Sequence, residues 1–104
     1  PEVARVINAA ERPLLVGGIE IHSPGNLLAL SARLRPGTKM QLLTIADERA
    51  YQLPDHDGDL FFMGPNVLLR QRLEEREHVR FELLVEDLFV QLWKAERAER
   101  ERPR

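Results

Sequence analysis

The chain contains no cysteine, which excludes disulfides, thiolate nucleophiles and Cys-ligated zinc. It also lacks long apolar runs. The longest, Leu27 to Leu30 and Leu60 to Met63, are too short for a transmembrane helix or the hydrophobic region of a signal peptide. A cytoplasmic location with no membrane contact is therefore expected. Phosphate-loop chemistry is missing too, because Gly17-Gly18 has neither the G-x-G-x-x-G spacing nor a following Lys-Ser/Thr. The pair sits inside an apolar run and reads as a strand kink or bulge. Finally, glycine and proline vanish between Asn66 and Arg102, so this last third is free to form long regular elements.

What remains is the composition of one folded domain. At 104 residues the chain is long enough to bury roughly 60–70% of its unfolded surface without a metal or a crosslink. Its net charge of −2 is unevenly spread, with an acidic stretch over 54–93 and a mildly basic tail from about 94. Nearly all of the bases are Arg, the exceptions being Lys39 and Lys94. An acidic middle is not the footprint of a general nucleic-acid binder.

Val3, Val6, Ile7 and Ala10 recur at helical spacing, which predicts a helix over the first eleven residues that Pro13 cannot continue. Leu14 to His22 reads as a strand, or as two strand pieces, and Ser23-Pro24-Gly25-Asn26 as a turn leading into a short helix ending at Arg35-Pro36-Gly37. Met40 and Leu42 alternate with Lys39 and Gln41, then the chain turns through Ala46-Asp47-Glu48-Arg49 into Ala50 to Leu53. This predicts a β-hairpin. A strand is expected at Leu60 to Met63, and a helix or irregular strand over 67–77 with Arg70 and Glu74 at i, i+4.

Beyond that, Val79, Phe81, Leu83 and Val85 alternate as in a strand, while Phe81, Leu84, Val85, Leu88, Phe89, Leu92 and Trp93 also share one helical face. The reading adopted is a strand over 79–85 and an amphipathic helix from Glu86 to about Arg100; the alternative is one long bent helix. The fold class is accordingly α+β, a mixed or antiparallel sheet of about four to five strands covered by helices, with a C-terminal amphipathic helix.

Candidate chemistry is sparse. Asp55, His56, Asp57 and Asp59 alternate like the start of a calcium loop, but Leu60 and Asn66 occupy the places where that loop needs Gly and a closing Glu. A solvated acidic turn is expected instead, and no metal or cofactor is assigned. His22, His56 and His78 lack zinc-ligand spacing, and although His22 stands beside the Ser23 hydroxyl as a base and nucleophile pair would, no third member or oxyanion turn accompanies them. No catalytic residue is therefore assigned. The apolar, aromatic set Leu88, Phe89, Leu92, Trp93 and Phe81 is the candidate partner-binding surface.

These features predict a small non-enzymatic protein–protein interaction module, an adaptor, regulator or assembly subunit, forming a homodimer or higher homo-oligomer. The alternatives are a nucleic-acid-binding regulator using Lys94, Arg97 and Arg100, and a small enzyme built around His22 and His56.

Overall fold

A computed structural model describes residues 2–18, 30–64, 67–86 and 91–97. The element order is α1 (Glu2–Ala9), β1 (Leu14–Gly18), β2 (Lys39–Leu43), α2 (Ile45–Ala50), β3 (Leu60–Met63), α3 (Val67–Glu77), β4 (Val79–Glu86) and β5 (Gln91–Arg97), with residues 30–33 also helical. The strands form one five-stranded mixed sheet in the order β2-β1-β3-β5-β4. β1 runs parallel to both β2 and β3, whereas β5 is antiparallel to β3 and β4. Because β2 and β3 flank β1 on opposite sides, crossovers of the same hand must pass over opposite faces. The described parts of the two connections fit this, Leu30 and Leu34 packing into the core on one face and Tyr51 and Leu53 into that on the other.

On one face α1 lays Val3, Ala4 and Ile7 against Leu15, Phe61, Met63, Val85 and Leu92, with Leu34 closing the layer. On the other, Leu69 and Leu73 of α3 cover Val16, Phe62, Val79 and Ala95, and Leu53 lies with them. Phe62 anchors this second layer between Tyr51 and Phe81, both edge-on to it with centroids at 6.1 and 5.2 Å. That arrangement sets the positive ring edge against the negative ring face.

The expected hairpin over 38–53 is not formed. β2 pairs in parallel with β1, and the residues after it are helical because Thr44 and Asp47 make a capping box. The Thr44 hydroxyl accepts from the Asp47 amide at 3.1 Å, and the Asp47 carboxylate accepts from the Thr44 amide at 3.0 Å. These bonds hold the Asp47 carboxyl below its ordinary pKa. Nor do Gly17 and Gly18 form a bulge: both continue the regular β1 register with β2. The remainder of the expected first strand, Ile19 to His22, lies outside the described residues.

The expected C-terminal helix is also corrected, since Gln91–Arg97 is a strand that fills the space between β3 and β4. Lys94 to Arg97 thus belong to β5 rather than to a charged tail. A register shift between Leu83 and Val85 adds a bulge to β4. Val79, Phe81 and Leu83 therefore face α3, while Val85 joins the α1 core. With neither Gly nor Pro available, the chain leaves α3 through His78 in the left-handed region, φ 54°.

Arginines close two helix ends. Arg35 donates to the carbonyls of Ala10 and Glu11 after α1, and Arg72 donates to those of Glu48 and Arg49 at the end of α2, at 2.8 and 2.9 Å. The Arg content thus has structural uses in the fold.

Candidate functional site

Two depressions lie at the amino edge of the parallel strands, on either side of the 54–59 loop. One, about 490 Å³, is walled by Arg12, Arg35, Lys39 and the loop residues Asp55 to Asp57. The other, about 510 Å³, is walled by the loop together with Arg80, Lys94 and Arg97. The loop itself is fastened down. Asp59 O accepts from Leu14 N at 2.9 Å, Arg12 meets Asp57 at 3.1 Å, and Lys94 reaches Asp59 at 3.6 Å. His56 Nε2 stands 2.7 Å from the Arg12 carbonyl; a carbonyl only accepts, so this nitrogen carries the proton.

The loop expected to be a solvated turn does leave Asp55, Asp57 and Gly58 exposed, and it is anchored as well. Asp57 and Asp59 turn to different cations instead of converging, and among the described residues no three His, Asp or Glu side chains form a metal-ligand group. His56 lies at the edge of the sheet opposite the one from which the chain leaves β1 toward His22. His22 itself is outside the described residues.

Beside the loop, the extended backbone of Leu53 is gripped by side chains. Its amide donates to the Glu77 carboxylate at 3.0 Å, and its carbonyl accepts from Arg97 at 3.1 Å. Tyr51 donates its hydroxyl to Gln41 Oε1 at 2.9 Å. Burial, reinforced by Glu77, pushes the Tyr51 phenol up to about 12 from 10.0.

A raised pKa on an acid that is neutral when protonated means stability is full below pH 10 and falls as pH rises toward 12. The full shift corresponds to about 2.7 kcal/mol, which solvent screening on this half-buried ring reduces to roughly 1 kcal/mol. Tyr51 is the chain's one tyrosine, so near-ultraviolet phenolate absorbance reports it alone. It should titrate higher in the folded protein than in denaturant, where it should be near 10, and Tyr51→Phe should flatten the alkaline stability loss.

The second candidate region is the flank formed by α3, β4 and β5. Arg70 lies over the Trp93 ring, 3.8 Å from its centroid. Its Nε is buried without a hydrogen-bond partner. Burial lowers the Arg70 pKa from its ordinary value, against the opposing charge of Glu74. Trp93 Nε1 donates to Gln91 Oε1 at 3.3 Å, and Gln91 donates in turn to Glu86 at 2.9 Å. Leu83 stands directly across from Trp93 on β4 and is exposed, as are Val67 and Leu68 at the start of α3.

Of the expected partner-binding set, Leu88 and Phe89 lie outside the described residues. Leu92 and Trp93 are consecutive on a strand and so point to opposite faces. Leu92 is fully buried under α1, whereas Trp93 and Phe81 lie half-buried on the α3 face. One shared surface made of Leu92 and Trp93 is thereby ruled out. Arg70 and Leu83, which border Trp93, were not singled out in the sequence; the i, i+4 spacing of Arg70 and Glu74 suggested mutual pairing instead.

Lys94 and Arg97 also part company, since strand alternation puts them on opposite faces, the first against Asp59 and Glu96, the second against Glu77 and Leu53. Arg100 is outside the described residues. Among the described residues no helix is long and apolar enough to cross a membrane. Comparison with protein-family models, with curated proteins and with solved structures finds no match for this chain.

Proposed function

We propose that this chain is a non-enzymatic protein–protein interaction module that self-associates, an assembly or adaptor unit whose contact surface is the α3–β4 flank. The observation that carries the reading is where large apolar side chains remain in water. Among the described residues Leu68, Val67 and Leu83 are 71%, 50% and 39% exposed and belong to the two elements that border the Arg70–Trp93 stack, whereas the fourth exposed large apolar residue, Leu42 at 39%, stands apart on β2. Covering a side chain of this size contributes about 1.5–3 kcal/mol when burial is complete. Trp and Arg are, moreover, the residue types that most often anchor interfaces.

Sedimentation velocity over a concentration series tests this. The mass should rise from 12.0 kDa toward twice that value between low and high micromolar protein. Leu83→Glu should hold the chain at the monomer mass while leaving its circular dichroism intact. A monomer at every concentration would remove the basis for the proposal.

A further inference from the structure

Among the described residues the sheet has two open edges, β2 and β4, and they differ in charge pattern. On the α1 face of β4, Arg80 and Glu82 lie directly across from Glu96 and Lys94 of β5. Arg80 reaches Glu96 at 3.8 Å, and Lys94 reaches Glu96 at 3.7 Å. The two rows therefore read minus-plus (Glu96, Arg80) and plus-minus (Lys94, Glu82), and each ends at the open edge. On the α3 face the matching positions are Val79, Phe81 and Leu83, of which Leu83 is exposed.

We propose that two copies of this chain pair edge to edge through β4, antiparallel and about a two-fold axis at Phe81. This rests on the self-association reading and assigns its surface. With Phe81 opposite itself, Arg80 faces Glu82 of the second copy and Val79 faces its Leu83. Directly opposed residues in an antiparallel ladder share a face, and these assignments respect that condition.

The charge rows then continue across the junction. Glu96, Arg80, Glu82 of the second copy and Lys94 of the second copy alternate in sign over four strands. The symmetric row does the same in reverse. Like charges face each other nowhere along residues 79–83, and the exposed Leu83 is covered on the apolar side. The bulge between Leu83 and Val85 marks the end of the ladder, because it turns the strand out of register beyond that point.

Charges and a bulge on an edge strand ordinarily discourage pairing. Here the alternation of sign makes the strand complementary to itself and to few other edges. β2 offers no such match. Centred on Gln41, it would set the charged Lys39 against the apolar Leu43 and Met40 against the exposed Leu42, so no opposite charges meet across that edge. The interface is isologous and closed, so it yields a ten-stranded sheet and stops at two copies.

The absence of native cysteine permits a direct test with two single variants, Arg80→Cys and Glu82→Cys. Directly opposed residues sit about 4.5–5.5 Å apart between Cα atoms, within reach of a disulfide. Like-with-like pairs would be diagonal, about 7–8 Å apart, and out of reach. Equimolar mixing in a redox buffer should give the mixed disulfide in large excess over either like pair.

In parallel, Arg80→Glu and Glu82→Arg should each weaken the dimer roughly tenfold, since each sets like charges opposite at two symmetric positions. The double exchange restores opposite charges across the junction but opposes like charges to Glu96 and Lys94 within each chain, so it should recover part of the lost affinity. A dimer by sedimentation that gives no excess of mixed disulfide, or no charge-exchange rescue, would overturn the β4 pairing while leaving self-association standing. A monomer would overturn both.

Discussion

Leu92→Ala is expected to cost about 2–5 kcal/mol of folding stability, a fall in Tm of roughly 10 °C or more for a chain of this size. Leu92 has no exposed surface and sits among Ile7, Leu15, Phe61 and Val85, where the sheet meets α1. Truncation removes its transfer free energy and leaves a cavity that the rigid neighbours cannot fill. Leu83→Ala, on the same sheet but 39% exposed, should cost under about 1 kcal/mol. Denaturant unfolding of the two variants checks the contrast. Equal losses would mean that the β5 register, and with it the placement of β4, is wrong.

The second large effect is expected at Gly58. A Cβ at this position would run into the Arg12 carbonyl oxygen, with the Arg12 Cβ and His56 Nε2 each 2.9 Å away. The first of these is backbone and cannot yield without moving the α1–β1 connection, so Gly58→Ala should cost roughly 1–3 kcal/mol. Gly37 differs in kind. Nothing lies within 4 Å of a Cβ there, but φ is +85°. It follows Pro36 in a turn closed by Thr38 N donating to Arg35 O at 3.2 Å. Gly37→Ala should cost about 1–2 kcal/mol through backbone strain alone. Restraining the 54–59 loop is thus predicted to depend on space, and closing the 35–38 turn on conformation.

Much of the fold was legible from periodicity. Val3, Ile7 and Ala10 announced α1, Leu60 to Met63 announced a buried strand, and the helix formers of 67–77 allowed α3 beside an irregular strand. The failures have identifiable physics. In β5, Leu92 is buried on one face while Trp93 and Ala95 are covered on the other. A strand covered on both sides shows no clean alternation, and its apolar residues can be fitted to a helical face just as well.

The lack of Gly and Pro after Asn66 reinforced that choice, yet the chain reversed through His78 without either. Around Thr44 the residues Thr-Ile-Ala-Asp are a capping signature, but Asp at its fourth position is also a turn former, and the alternation just before it suggested a hairpin. Of the proposed contact surface, the bulky residues Phe81 and Trp93 stood out. Arg70 and Leu83 did not, because what distinguishes them is a neighbour on another element: the ring under the guanidinium, and the open edge beside the leucine.

Hydrogen exchange of the unmodified chain, measured at low and at high micromolar concentration, tests the central claim most directly. The account predicts that amides in residues 79–83 of β4 exchange more slowly at the higher concentration, while those of the other open edge, 39–43 of β2, do not change. Rates that are independent of concentration throughout, or protection gained on β2 in place of β4, would contradict it.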